Sequence, residues 1–254
     1  MGKMEVEMSG QFAGKVAWVT GGSQGIGKGV VKMFAERGAA VVIGYSSNRD
    51  IAEDLARSIR DAGGKAVAAG GDIRNADVAR TSVELALQEF GRLDILVTAA
   101  GVAGRQMLQD ITEEDYRKTF DINVWGTIAS IQAAAPHLTS PGGKIVTITS
   151  RMALNPFPGA ALYAGAKNAV NAITDSFARE LGPRGITVNA VAPGLIKSER
   201  MAKAVETRGH ETVAITPLAR IGMPEDIAGV VAFLASDDSR WVTGRVIRAD
   251  GGIV

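Results

Sequence analysis

The sequence predicts an α/β chain folded as a single-domain, doubly wound parallel sheet of about seven strands with helices on both faces. Two observations carry this expectation. Short apolar runs recur near residues 15–20, 40–45, 65–70, 93–98, 143–149, 185–191 and 245–249, and patterns of helical period fill most of the intervals. Such alternation builds a parallel sheet covered on both sides. The length also fits: no linker interrupts the 254 residues, of which 46% are hydrophobic, and a doubly wound sheet uses this length as one unit.

Along the chain, residues 1–13 read as a flexible N-terminal tail. Met1 to Phe12 mixes Lys3 with Glu5 and Glu7 and has no sustained apolar core, so it does not read as a signal peptide. Residues 14–254 form the expected domain. Its first strand, Lys15 to Thr20, runs directly into Gly21-x-x-x-Gly25-x-Gly27, and Ile26 to Arg37 has helical periodicity that stops at Gly38. This is the strand, tight turn and helix of a Rossmann-type unit. Its glycines let backbone approach a pyrophosphate, whose charge the N–H groups of the new helix bind. Glycine content alone produces about 0.4 such spacings per chain, so the flanking strand and helix give the motif its meaning.

The second strand ends at Tyr45, followed by Ser46, Ser47, Asn48 and Arg49, and no Asp or Glu occurs from Arg37 through Arg49. An NAD-selective site places a carboxylate here, which would repel a 2′-phosphate, whereas these residues offer neutral and cationic donors. NADP(H) is therefore expected to be preferred over NAD(H); the alternative is a solvated loop that ignores the ribose. After the fourth strand, Ile122 to Gly143 carries no formal charge. Its Asn123, Gln132, Pro136 and His137 favour a helix buried between subunits over a membrane span.

Ser150 ends the fifth apolar run, and Tyr163-Ala-Gly-Ala-Lys167 follows thirteen residues later. On a helix the four-residue step puts phenol and ammonium on one face. There the cation favours the phenolate of a group that ordinarily titrates near pH ~10. A hydroxyl from the strand end would bond the same reacting oxygen, so the trio suggests proton exchange with a carbonyl or alcohol. Composition alone yields this spacing in about one of 150 such chains. The plain alternative is a surface Tyr and Lys on an ordinary helix, with Ser150 closing a strand.

Together these residues resemble the short-chain dehydrogenase/reductase family from about Gly14 to Gly252, with similarity to its 3-oxoacyl-thioester reductase branch. The resemblance implies that Gly21, Ser23, Gln24, Gly25, Ile26 and Gly27 form a cofactor loop. It implies a catalytic set of Asn123, Ser150, Tyr163 and Lys167, in which Asn123 holds a proton-relaying water and Tyr163 and Lys167 also touch cofactor. Asp72, with Ile73, matches the residues at the adenine, although Asp72 is equally consistent with turn chemistry. The family's Asn-Asn-Ala-Gly segment appears as Thr98-Ala99-Ala100-Gly101, which keeps Ala100 and Gly101 under the cofactor and implies a changed structural hydrogen bond. Pro193, Gly194, Ile196 and Ser198 match the nicotinamide-end segment, with Ser198 in place of a commoner Thr. Gln24 departs from the basic residue frequent in NADP-specific relatives.

Chain 195–217, after that segment, is expected to be a mobile substrate lid. Met152, Leu154, Phe157 and Leu195 either line an apolar pocket or belong to the core. The formal charge of +1 gives no broad attraction to nucleic acid, and no membrane association is expected. The absence of Cys fits a cytoplasmic protein. No metal is expected, because His137 and His210 lie in no ligand-like cluster. The Ala/Gly-rich helix near 160–181 and the weakly charged one near 122–135 suggest a homotetramer. The expected activity is hydride transfer between NADP(H) and a small or partly apolar ketone or secondary alcohol. Reduction of a 3-oxoacyl thioester on acyl carrier protein or CoA is the second reading, with Arg179 and Arg184 as docking cations. A non-catalytic cofactor sensor is the third, and the intact tetrad argues against it.

Overall fold

A computed structural model describes residues 10–253. Seven strands, β1 (Val16–Thr20), β2 (Ala40–Tyr45), β3 (Lys65–Gly70), β4 (Ile95–Thr98), β5 (Lys144–Ile148), β6 (Thr187–Pro193) and β7 (Val246–Ala249), form one parallel sheet. Their order is β3-β2-β1-β4-β5-β6-β7. The chain therefore reverses its winding between β1 and β4, where a crevice opens at the carboxyl ends of the strands. Register brings those ends level: Thr20 lies beside Thr98, and Thr98 pairs in turn with the row that contains Thr147.

Helices α1 (Gly25–Glu36), α2 (Arg49–Asp61), α3 (Ala76–Phe90), α4 (Glu113–Phe120), α5 (Gly126–Ala134), α6 (Ala161–Leu181), α7 (Ala202–Ala214) and α8 (Pro224–Ala235) make the connections. The sheet is buried on both faces, so its strands are apolar throughout and alternate only in which helices they meet. Ala17, Val19, Val41 and Ile43 pack with Val30, Phe34 and Val231 of α1 and α8. Val16, Trp18, Ala40 and Val42 face Val83 and Ile131 of α3 and α5 on the opposite side.

Two expectations need adjustment. Residues 1–9 of the anticipated tail lie outside the described residues, but Phe12 is buried, its ring 5.0 Å from that of Phe34, and its N–H donates to Arg37 O. Packing thus starts before residue 14. The uncharged stretch 122–143 is divided between a widened helical turn, α5 and the approach to β5. Among the described residues no helix is long and apolar enough to cross a membrane.

At the amino ends of the strands, opposite the crevice, Asp94 ties three segments together. Its carboxylate accepts from Val16 N at 2.9 Å, Arg92 Nε at 2.8 Å and Nη2 at 2.6 Å, and Thr139 Oγ1 at 2.7 Å. Burial alone raises this carboxyl, but the Arg92, Thr139 and Val16 donors outweigh it and hold the group below 3.8. Asp94→Asn is expected to cost about 2 to 4 kcal/mol at pH 7, measured by urea unfolding. A depressed carboxyl stabilises above its unfolded value and loses that contribution as pH falls through its folded one. The gap between wild type and variant should accordingly close below about pH 4.

Candidate active site

The turn after β1 is built so closely that side chains would not fit. Gly21 has φ +63°, and a Cβ there would lie 2.9 Å from Ala100 N; a Cβ on Gly27 would lie 2.2 Å from Gly21 O. At the start of α1, Gln24 makes no side-chain cap and the first turn holds no acid. The N–H groups of that turn thus face the crevice without an internal anion, a site suited to a pyrophosphate.

One cleft of about 820 Å³ runs from this loop across the carboxyl edge of the sheet. Gly21, Ser23, Gln24, Gly25, Ile26 and Gly27 wall one end, continuing past Tyr45, Ser46, Ser47 and Asn48 and past Asp72 and Ile73. Ala100, Gly101, Ser150, Tyr163, Lys167, Pro193, Gly194, Ile196 and Ser198 line it as well, Ser198 beside Gly25. Arg49, expected among the phosphate donors, instead begins α2 with an exposed side chain and does not line the cleft. Asp72 borders the cleft, but its carboxylate accepts from Arg74 N at 3.0 Å and Arg74 Nε at 2.9 Å, the local turn chemistry that was its alternative. That pairing with Arg74 holds Asp72 below its ordinary value. Leu154 is 49% exposed and outside the cleft wall, whereas Met152, Phe157 and Leu195 are in it.

Ser150 follows β5 in extended conformation and is 7% exposed; its Oγ accepts from Met152 N at 3.2 Å as the chain turns. Tyr163 and Lys167 lie one turn apart in the first half of α6, with Lys167 Nζ 5.9 Å from the phenol ring centroid. Nζ donates to Ile148 O at 2.9 Å. Desolvation pushes this ammonium down to about 8. Asn123 sits behind the cleft wall, wholly buried, in a wide turn over Asp121–Trp125 where Gly126 N reaches back five residues to Asp121 O. Single wide turns of this kind occur at functional sites because they rotate a side chain out of the regular helical face.

Here the turn fixes an amide. Asn123 Nδ2 donates to Thr119 O at 2.8 Å and Val102 O at 2.9 Å, which leaves Oδ1 buried without a hydrogen-bond partner. A Cβ on Gly101 would meet that Oδ1 at 2.7 Å and Lys167 Nζ at 3.3 Å. An acceptor and a cationic donor thus flank the same glycine, whose missing side chain keeps the space between them open. The altered Thr98-Ala99-Ala100-Gly101 segment is held by Ala100 N donating to Thr20 Oγ1 at 3.0 Å, while Thr98 Oγ1 is buried without a partner.

Chain 195–217 covers the end of the cleft and is largely helical. Its base is anchored by Lys197 N to Gly222 O at 2.8 Å and Gly222 N to Leu195 O at 3.0 Å. Ala204, Arg208 and Thr212 of α7, with Met201 and Ile215 flanking it, recur at three- and four-residue steps and line the cleft. Sequence reasoning passed over Arg208, and also Arg151, which lines the cleft beside Ser150. The adjacency of Arg151 to Ser150 was the available signal. Among the described residues no group of His, Asp and Glu is placed to hold a metal ion.

Comparison with known proteins agrees with this geometry. A family described as enoyl-(acyl carrier protein) reductase matches residues 21–254. The chain is 49% identical over 247 residues to an uncharacterized oxidoreductase of Methylorubrum extorquens, covering 96% of this chain and 99% of that one. It is 40% identical over 257 residues to a hydroxynaphthalene reductase-like protein of Metarhizium majus, covering 96% of each. The crystal structure of a blue fluorescent protein from a metagenomic library, in complex with NADPH, superimposes with TM-score 0.91 at 40% identity, over 95% of this chain and 98% of that one. With a seven-stranded sheet in this order, a glycine loop at its switch point and relatives of this similarity over nearly its whole length, the chain belongs to the short-chain dehydrogenase/reductase family.

Proposed function

We propose that the protein is an NADP(H)-dependent oxidoreductase that interconverts a ketone and a secondary alcohol. The observation that carries this reading is the convergence of Ser150, Tyr163 and Lys167 on one end of the cleft, with the unpartnered Asn123 Oδ1 beside Gly101. When bound, NADPH supplies the hydride that adds to the carbonyl carbon. Ser150 Oγ hydrogen-bonds the carbonyl oxygen and polarises it; the Tyr163 hydroxyl donates its proton to that oxygen as it becomes an alcohol. Lys167 stabilises the phenolate left behind, and a water held by Asn123 Oδ1 returns a proton through the lysine. The oxidation of an alcohol reverses each transfer.

The glycine loop and the N-terminus of α1 fit a pyrophosphate, and the space between Tyr45 and Asn48 contains no carboxylate to repel a 2′-phosphate. The NADPH complex of the metagenomic relative supports the same cofactor. A partly apolar ketone suits Met152, Phe157 and Leu195 in the wall, and the hydroxynaphthalene reductase-like relative is consistent with it. Thioester reduction is the second reading, supported by the family description. Its docking cation Arg179 is, however, engaged by Asp175 at 3.2 Å. Residues 195–217 act as the lid over the substrate, the chain from about Phe12 onward as one catalytic domain, and α5 and α6 as the packing faces of a homotetramer, in a cytoplasmic protein.

Tyr163→Phe should lower kcat by about 10²- to 10⁴-fold while NADPH affinity, read by fluorescence titration, stays within about threefold. Wild-type turnover in this variant would remove Tyr163 as the acid. For the cofactor, kcat/KM with NADPH should exceed that with NADH by about tenfold to a hundredfold, the worth of one charge-assisted contact. Tyr45→Asp should move the preference towards NADH.

Lys167 supplies a pH test without turnover. Its folded value of about 8 lies below the ordinary 10.5, so between these the unfolded chain binds more protons. The burial penalty is fully present below pH 8 and relieved as pH rises towards 10.5. The stability of wild type relative to Lys167→Met, measured by urea unfolding of cofactor-free protein, should therefore increase from pH 8 to pH 10. A constant difference would mean that the ammonium is not desolvated.

A further inference from the structure

We propose that Arg151 binds an anionic group of the substrate, so that the preferred substrates are oxo acids and hydroxy acids rather than neutral ketones. This rests on the carbonyl-reducing reading of Ser150, Tyr163 and Lys167 and names the substrate class for it. Arg151 is next in the chain to Ser150 and lines the same end of the cleft. Its Nη1 is sealed from solvent and has no hydrogen-bond partner, and no carboxylate among the described residues pairs with it. A guanidinium cannot shed its charge, and a buried donor left unpaired is costly. Other arginines of the chain are satisfied internally: Arg92 by Asp94 and Arg248 by Asp250. No described residue supplies that acceptor, and the cleft that Arg151 lines is where a ligand would supply it.

The surroundings favour a carboxylate as that acceptor. Met152, Phe157 and Leu195 make the wall apolar, which strengthens a charge pair formed against it. The guanidinium fork matches a carboxylate with two parallel hydrogen bonds. Because Ser150 takes the carbonyl oxygen and Arg151 is its immediate neighbour, the carboxylate lies a few bonds from the reacting carbon. The lid reinforces the sign of the site. Arg208 stands over the Phe157 ring at 5.1 Å and lines the cleft. The glycine loop and the first turn of α1 are the part of the cleft suited to the cofactor phosphates, whereas Arg151 follows β5.

Glu211 is the competing acceptor, because it too lines the cleft from α7. An Arg151 to Glu211 latch would hold the lid shut whatever the charge of the substrate. The experiment compares pyruvate, acetoacetate and levulinate, whose carboxylates lie progressively farther from the carbonyl, each against its ethyl ester at saturating NADPH. In wild type at least one acid should exceed its ester in kcat/KM by about tenfold to a hundredfold, mainly through KM. Arg151→Met should bring that ratio near one, and Arg151→Lys should retain part of it. An unchanged ratio in Arg151→Met, or equal losses for acids and esters in both Arg151→Met and Glu211→Gln, would overturn the proposal in favour of the latch.

A binding measurement separates this inference from the reductase reading. Calorimetric titration of the same three acids into the enzyme with NADP⁺, where no reduction can occur, should give weaker Kd in Arg151→Met by about tenfold or more. Kd values unchanged by Arg151→Met for all three acids would overturn the anion site even if the esters are reduced. Arg151-dependent binding with no reduction of any acid or ester would preserve the site and overturn the reductase reading.

Discussion

The reversal of winding between β1 and β4 is the constraint on which the rest of the molecule depends. Neighbouring parallel strands that end level, Thr20 beside Thr98, must send their connections to opposite faces of the sheet, and no backbone crosses the gap between them. The glycine loop, Ser150, Tyr163 and Lys167 all line the cleft that opens there. The glycine loop leaves β1 on one side, Ala100 and Gly101 leave β4 on the other, and Gly21 lets the two approach so closely that a Cβ would touch Ala100. Asp94 holds the opposite ends of the same strands, so the alignment at the cleft is secured from the far edge.

At the substrate end the fold places polar groups where their needs are only partly met. Lys167 gives one hydrogen bond to Ile148 O, and its burial lowers its proton affinity. Asn123 uses both amide protons to lock its orientation and leaves Oδ1 without a donor. Such arrangements cost stability in an apo protein and are relieved by water, cofactor or substrate. Arg151 follows the same logic on the substrate side, where an apolar wall and an unpartnered guanidinium together select for charge.

Chain 195–217 has a different physical basis. Its base is pinned by two backbone hydrogen bonds to Gly222, while α7 buries little beyond Gly209 and turns one face to the cleft. A segment fixed at its root and lightly packed along its length changes position at small cost.

The sequence by itself determined the architecture and the residue spacings that meet at the cleft, because these depend on local patterns. Seven apolar runs separated by helical intervals marked the strands to within a few residues, the Gly21 to Gly27 spacing marked the turn, and the step from Tyr163 to Lys167 put both on one helix face. What only the tertiary structure decided concerns contacts between distant segments. No local pattern signals the wide turn at Asp121–Trp125, which aims Asn123 past Gly101 at Lys167 from another helix. Arg49 sits in a sequence suited to phosphate, yet the start of α2 leaves it exposed outside the cleft. Phe12 looked like tail and is core, because Phe34 offers a ring for it to pack on. Adjacency to Ser150 marks Arg151 in the sequence, but that its buried Nη1 meets no acceptor among the described residues is a property of three-dimensional neighbours.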